Sequence, residues 1–180
     1  MLGLNKDVVE LVPYDKSWAV EFEKEKKKLQ KILGKSALDI QHVGSTSIPG
    51  LRAKPILDIA VAVKKLSELK RLIVVLEKAG YDVKDSINEL GEILARKGTP
   101  DNRTHYIHVE VINSMFWNNH ILFRDYLLSH PEYIKKYENL KNEMFERFKD
   151  ERKLYTAAKN DFIEEVLELA RDEHGMQKGR

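Results

Sequence analysis

The chain has 180 residues, 42% of them hydrophobic and 33% charged, a balance typical of one folded soluble domain rather than of a disordered chain. Its 31 basic and 29 acidic residues leave a net charge of only +2, which argues weakly against nucleic acid as the main partner. The absence of cysteine excludes disulfides and cysteine zinc sites. No apolar run approaches the roughly 20 residues that cross a bilayer, and no signal-peptide pattern opens the chain. We therefore expect a cytoplasmic protein without a membrane partner.

Short apolar runs and helical apolar spacing alternate through the first two thirds of the chain. Pro13, Gly34 and Gly80 each follow one of the predicted elements, as turn residues do. The segment 98–104, GTPDNRT, is predicted to be a loop from its composition. In chain order the predicted elements are an edge strand at Val8–Val12, a helix from Asp15 or Ser17 to about Leu33, strands at Ala37–Val43 and Ile56–Val63, a helix at Leu66–Lys78, and strands at Tyr81–Lys84, Glu92–Arg96 and Tyr106–Ile112.

The chain after Asn113 is predicted to be helical. Arg124 and Lys159 stand in helical patterns too polar for a pure core, so they either reach the sheet or pair with neighbouring acids. Strands and helices mixed in front, followed by a helical tail, predict one domain over residues 1–180 of the α+β class, with a mixed sheet flanked by helices. The predicted helices run over Trp117–Leu128, from Pro131 to about Phe148, and from about Glu151 to Asp172.

The segment HVGSTSIPGLRAKPILDI, residues 42–59, carries the chemical signal. A glycine lets the backbone approach a ligand, and amides and hydroxyls that follow it suit phosphate oxygens. Lys54 stands at the mouth of the next strand, in the extended conformation that Pro55 favours. The spacing GxxxxGK[ST] is absent, so this is not a P-loop. The residues expected to hold phosphate are His42, Gly44, Ser45, Thr46, Ser47 and Arg52.

Asp58 is the anomaly of an otherwise apolar strand, because a buried carboxylate is costly unless it is paired, hydrogen bonded or bound to a metal. Period two places Asp58, Ala60 and Ala62 on one face, where the small alanines leave room for a ligand. This pattern predicts a cleft lined by Asp58. The alternative is that Asp58 is a structural partner of Lys54 or Arg52 and that the Gly-Ser-Thr-Ser string is only a turn.

The strand THYIHVEV supplies a second set of polar side chains, because alternation places Tyr106, His108 and Glu110 on one face. We expect Glu110 to meet Asp58 across the sheet, so that the two carboxylates share a Mg²⁺ or Mn²⁺ ion. His42 and His108 can serve as bases, hydrogen-bond donors or ligands. The alternative for Glu110 is a surface glutamate. Without HExxH or a close group of histidines, no dedicated zinc site is expected.

The segment 42–59 resembles the signature of the GrpB family, which is widespread in bacteria. The resemblance covers nearly the whole chain, through VPYD near the start, THYIHVEV, and FRDYL and HP in the helical half. It implies a nucleotidyltransferase-like fold in which the Gly44–Ser45 turn and the Asp58 strand form the site. That superfamily pairs Gly-Ser with two acids separated by one residue, and here Ala60 stands in the place of the second acid.

Two functions are compatible with these residues. The first is metal-dependent nucleotidyl transfer from a nucleoside triphosphate to an unknown acceptor, with Asp58 and Glu110 on the metal, Lys54 stabilising the developing charge and His108 acting as a base. The second is a binding module that keeps the phosphate pocket without transfer chemistry, which Ala60 favours. In both, the partner is a nucleotide or another phosphorylated small molecule. A scaffold without a small ligand is a third possibility, disfavoured by the Gly-Ser-Thr-Ser segment.

Overall fold

The computed structural model describes residues 2–83 and 92–175, and its five strands form one mixed sheet. The spatial order is β1-β2-β5-β4-β3, with β2 and β5 parallel and the other neighbouring strands antiparallel. The strands are Asp39–Val43 (β1), Leu57–Val63 (β2), Asp82–Val83 (β3), Ile93–Thr99 (β4) and Asn102–Val111 (β5). The predicted α+β class with a mixed sheet is therefore confirmed.

Helices cover both faces of the sheet. The first starts where Oδ1 of Asp15 accepts a hydrogen bond from the Ser17 amide at 2.8 Å, and it ends at Gly34, whose φ is 55°. Within the described ranges no helix combines the length and hydropathy that a bilayer crossing needs. The α-helices are Ser17–Leu33 (α1), Leu69–Lys78 (α2), Met115–Ser129 (α3), Pro131–Phe148 (α4), Arg152–Ala157 (α5) and Asn160–Glu173 (α6).

The two faces of the sheet have different coverings. Ile59, Val61 and Val63 of β2 are fully buried in the main core with residues of α1 and α2. Each such side chain contributes about 1.5–3 kcal/mol of apolar burial, so this face anchors the fold. Ala60 of β2 points to the other face, where it packs in a small cluster with Trp117 of α3. The polar side chains of β2 and β5 share that second face with the C-terminal helices.

The predicted edge strand at Val8–Val12 is wrong. Only Val12 pairs, in an isolated bridge with Ala53. Pro13 lacks an amide hydrogen and ends the pairing on one side. The apolar side chains at positions 9 and 11 are instead buried in a cluster with Met144 and Tyr155 of the helical half, so hydrophobic contact rather than strand pairing accounts for this run.

Two further predictions need correction. The segment 98–104 is not a loop, because β4 continues to Thr99 and β5 begins at Asn102. The pairing of β4 with β5 shifts register between Lys97 and Gly98, and Gly98 adopts the positive φ of 87° there, which lets the two strands continue into a hairpin. The last predicted helix is broken into α5 and α6 around Lys159. Of the other predicted elements, α1 and α4 have the predicted ends and the rest are present with shifted ends. The predicted strand at 81–84 extends beyond the described residues at position 84.

Candidate functional site

A cavity of about 470 Å³ lies between the polar face of the sheet and the C-terminal helices. Its volume falls in the range of about 300–1,000 Å³ that small-molecule sites occupy. Phe116, Phe123 and Leu167 form apolar lining, while the acidic, histidine and lysine side chains come from β2 and β5, from the segment before β2 and from the helical half. These are Lys54, Asp58, His108, His120, Lys141, Lys159 and Glu164. The structure thus places Asp58 at the lining of a cavity.

The glycine turn stands directly beside the aspartate. Gly44 has φ of 67° and ψ of −173°, and a Cβ atom there would lie 2.7 Å from Oδ2 of Asp58. Gly44, Ser45 and Thr46 line the cavity. The hydroxyl of Ser47 instead donates to the carbonyl of Gly44 at 2.6 Å, so this side chain closes the turn and does not face the cavity lining.

Asp58 has an ion-pair partner, His108, whose Nε2 lies 3.5 Å from Oδ1. Nδ1 of His108 donates to Oε1 of Glu92 at 2.6 Å. Burial opposes the charge on His108, but its contacts with the two carboxylates outweigh burial and raise its pKa to about 10. Burial likewise opposes the charge on Asp58, yet His108 holds the pKa of that carboxyl below its ordinary value. The ion-pair partner of Asp58 is therefore His108, and not Lys54 or Arg52 as the structural alternative proposed.

The predicted sharing of one metal ion by Asp58 and Glu110 is wrong. In the parallel register Asp58 pairs with Tyr106 and Glu110 pairs with Ala62. Asp58 and Glu110 are thus offset by four positions along the strands, about 13 Å between their backbones at the usual rise of a strand. They share a face of the sheet, but the side chain of His108 stands at the intermediate position and contacts Asp58 at 3.5 Å, so the two carboxylates do not meet at one ion. Glu110 instead lies 3.1 Å from Nδ1 of His120, on α3.

Three lysines from separate parts of the chain converge on the cavity. Burial, and after it the charge of Lys159, lower the pKa of Lys54 and of Lys141 to about 7. Burial also lowers the pKa of Lys159, to about 8. Nζ of Lys54 and of Lys159 lie 5.6 and 4.5 Å from the centre of the Tyr155 ring, and Nζ of Lys141 donates to the carbonyl of Arg52. This part of the cavity is suited to an anion.

His42 lies outside the cavity, contrary to the prediction that it holds phosphate. Val43 pairs with Asp58 in the sheet, and because side chains alternate along a strand, His42 points to the opposite face. There its ring stacks on Phe22 of α1, with centroids 4.9 Å apart, and Nε2 is 3.0 Å from Oγ1 of Thr46. Burial lowers the pKa of His42 to about 4, so the neutral ring supports the turn from behind.

Arg52 is also engaged away from the cavity lining. Its Nη1 donates to Oδ1 of Asn142 on α4 at 3.1 Å, and its Nη2 donates to the carbonyl of Leu11 at 2.9 Å. Its amide lies 3.3 Å from Oε1 of Glu138. These bonds join the turn, the N-terminal segment and α4, so the side chain has a structural role in place of the predicted phosphate contact.

Sequence reasoning missed Lys141, His120 and Glu92. Lys141 had a detectable signal, since it stands four residues after Tyr137 on the buried face of α4. The position of His120 beside Glu110 had no local signal, because it depends on how α3 packs on β5. Arg124 satisfies both of its predicted alternatives. It reaches the sheet, donating to the side chain of Gln41 and to the carbonyl of His42, and it also pairs with Asp125 at 2.7 Å.

Comparison with known proteins gives consistent matches. The family model described as GrpB protein matches residues 8–169. The Glutamate-rich protein GrpB of Alkalihalophilus pseudofirmus is 39% identical over 171 residues, which cover 93% of this chain and 98% of that protein. The crystal structure of conserved protein GrpB from Enterococcus faecalis has a TM-score of 0.83 and 31% identity, covering 92% of this chain and 99% of that one. A Cid1 poly(U) polymerase structure has a TM-score of 0.46 and 11% identity over 72% of this chain and 45% of that chain, too low to support an argument about function.

Proposed function

This chain belongs to the GrpB family, and we propose that its cleft binds the phosphate groups of a nucleotide or of another phosphorylated small molecule. The convergence of three lysines on one cavity carries this proposal. Lys54 precedes β2, Lys141 lies on α4, and Lys159 lies between α5 and α6. Ammonium groups held close together repel one another, and a phosphate group bound between them would offset that repulsion.

The turn at Gly44 supports the same ligand from the other side. Its backbone comes close to the cavity without a side chain, and the hydroxyl of Ser45 is also at the lining. The apolar surface around Phe116 and Phe123 would receive the uncharged part of the ligand. Pockets that combine a few placed polar groups with an apolar wall are typical of small-molecule sites.

A pair of catalytic metal ions is not needed for this binding. Two-ion phosphoryl transfer uses ions about 3.5–4 Å apart that are held by shared carboxylates. Ala60 occupies the position of the second acid, and Glu110 lies too far along β5 to join Asp58. The proposed source of countercharge is therefore the lysine cluster, and we expect binding without a divalent ion.

A second candidate is nucleotidyl transfer assisted by a single Mg²⁺ or Mn²⁺ ion. It is favoured by the position of Asp58, whose side chain is 35% exposed toward the cavity beside the glycine turn. In this candidate Asp58 would hold the ion and Lys54 would stabilise the developing charge. The base role predicted for His108 is not part of it, because the raised pKa keeps that imidazole protonated. This candidate differs from simple binding in requiring the metal for turnover.

The test is calorimetric titration of pyrophosphate and of the four ribonucleoside triphosphates, with EDTA or with Mg²⁺. Lys159→Met should weaken binding about tenfold to a hundredfold, since a hydrogen bond to a charged group contributes about 1.5–3 kcal/mol. Lys153→Met, at an exposed position on α5, is the matched control and should bind like the original chain. Absence of binding by every phosphorylated ligand, or equal binding by both variants, would contradict the proposal.

Asp58→Asn separates the two candidates. If the cleft only binds, this change removes a negative charge from an anion site and binding should be equal or tighter. If the cleft transfers nucleotides, release of pyrophosphate should require Mg²⁺ and should be lost in Asp58→Asn. Pyrophosphate release that persists in the variant at the original rate would exclude Asp58 as the metal ligand.

A further inference from the structure

Two histidines and a glutamate come together at the edge of the cavity. His108 and Glu110 are two residues apart on one face of β5, and His120 faces them from α3. One ligand atom from each lies within 4.8 Å of the others, and the two imidazole rings have centroids 4.8 Å apart. Ligands bound to zinc at about 2.1 Å lie about 3.4 Å apart, so a movement of roughly 1 Å would close the group. His120, 30% exposed on a helix surface, can make it.

The glutamate in this group is buried, and His120 is its close neighbour. The side chain of Glu110 is 1% exposed, and among the described residues its Oε1 accepts no hydrogen bond of acceptable geometry. Nδ1 of His120 is close, at 3.1 Å from Oε1 and 3.4 Å from Oε2. Burying a carboxylate is unfavourable unless it is paired or coordinates a metal. Oε1, which faces His120 without a hydrogen bond of good geometry, is therefore suited to a cation.

His108 makes a hydrogen bond that is typical of histidines bound to metal ions. A histidine ligand usually donates its second ring N–H to a carboxylate, which fixes the ring and its tautomer. Nδ1 of His108 makes such a bond to Glu92 at 2.6 Å. The metal would therefore take the place of the proton on Nε2, which now lies 3.5 Å from Oδ1 of Asp58. His108 and His120 both line the cavity, so a position on the ion would be open to a ligand there.

We propose that His108, Glu110 and His120 form a binding site for a divalent transition-metal ion, with Zn²⁺ as its representative. Two imidazoles with one carboxylate suit zinc, cobalt or iron, whereas Mg²⁺ prefers oxygen ligands. The site is separate from the lysine cluster and does not depend on phosphate binding. It also differs from the Mg²⁺ site predicted at Asp58 and Glu110, because its nitrogen ligands come from a helix and a strand.

The experiment titrates Co²⁺ into untagged full-length protein that has been treated with EDTA, and follows the visible d–d absorption, with Zn²⁺ and Mg²⁺ as competitors. We expect one Co²⁺ per chain, displaced by Zn²⁺ and not by Mg²⁺. His120→Gln and Glu110→Gln should each weaken the ion by at least about tenfold. His174→Gln, which removes an exposed histidine at the end of α6, is the matched control and should leave the affinity unchanged.

Two results would overturn the proposal: a chain that binds no stoichiometric Co²⁺ or Zn²⁺, or a His120→Gln variant with the original affinity. Glu110 is buried, so its variant can fail to fold, but His120 is partly exposed and its variant keeps the test decisive. Lys159→Met should bind the metal normally. A loss of pyrophosphate binding with intact metal binding, or the reverse, therefore distinguishes failure of one proposal from failure of the other.

Discussion

Gly44→Ala should destabilise the protein because two effects add at this position. The backbone angles, φ of 67° and ψ of −173°, lie in a region that is essentially restricted to glycine, where another residue costs of the order of 1–3 kcal/mol. The new Cβ would also lie 2.7 Å from Oδ2 and 3.0 Å from Cβ of Asp58. The carboxylate oxygen can swing away, but the Cβ of a central strand cannot, so we expect the free energy of unfolding to fall by about 2–4 kcal/mol in total.

The assay is urea denaturation followed by tryptophan fluorescence, with Gly50→Ala as the matched control. Gly50 also has positive φ, 84°, but a Cβ there has nothing within 4 Å, so only the backbone term remains, about 1–2 kcal/mol. The difference between the two variants measures the contact with Asp58. If Gly44→Ala costs no more than Gly50→Ala, the close approach of the turn to the carboxylate does not constrain this site and the reasoning is refuted.

Burial lowers the pKa of His105 to about 4, so below pH 6.5 the unfolded chain takes up a proton that the folded chain does not. The free energy of unfolding should therefore fall by up to about 3 kcal/mol between about pH 6.5 and 4. Urea denaturation at these pH values should show a smaller fall for His105→Gln than for the original chain. Equal falls in the two proteins would contradict this prediction. Glu25→Ala should cost about 2–4 kcal/mol in the same assay, because the buried carboxylate accepts a hydrogen bond from Lys97 at 2.6 Å, whereas the exposed Glu23→Ala on the same helix should cost less than about 0.5 kcal/mol. Because burial lowers the pKa of Lys54 to about 7, binding of pyrophosphate at about pH 8 should be accompanied by proton uptake by the lysines. Calorimetry in buffers of different ionisation enthalpy should detect this uptake, and a binding enthalpy that does not depend on the buffer would contradict it.

Most helices and strands could be predicted because their signals are local. The apolar run of β2 and the helical spacing of α1 depend on residues within a few positions of one another. The isolated bridge at Val12 and the hairpin that absorbs Gly98 could not be predicted in this way, because each depends on which distant segment is available for pairing. Local composition identified the turn residues correctly but not how tight the turn would be.

The site residues also differ in whether their signal is local or depends on distant parts of the chain. Asp58 was identifiable because a carboxylate in an apolar strand conflicts with its neighbours. The separation of Asp58 from Glu110 was not, since it is set by the register of two strands that are far apart in sequence. The meeting of His108 with His120, and the position of Lys159 beside Tyr155, likewise require the packing of the helical half on the sheet. Alternation along a strand gives the face of a side chain, and the register gives its neighbours.

Ala60, which stands in the place of the second acid, also determines how this face of the sheet is packed. It is fully buried and packs with Trp117 of α3, and its partner in the parallel register is His108. The space that a second carboxylate and its metal ion would need is therefore taken by an indole from the helical half and bordered by an imidazole. The same helical half supplies Lys141 and Lys159 to the cavity. The helical half therefore has two effects in the proposed function. Its packing leaves no room for a second acid on β2, and its lysines supply the positive charge that metal ions on the sheet would otherwise provide for a phosphate.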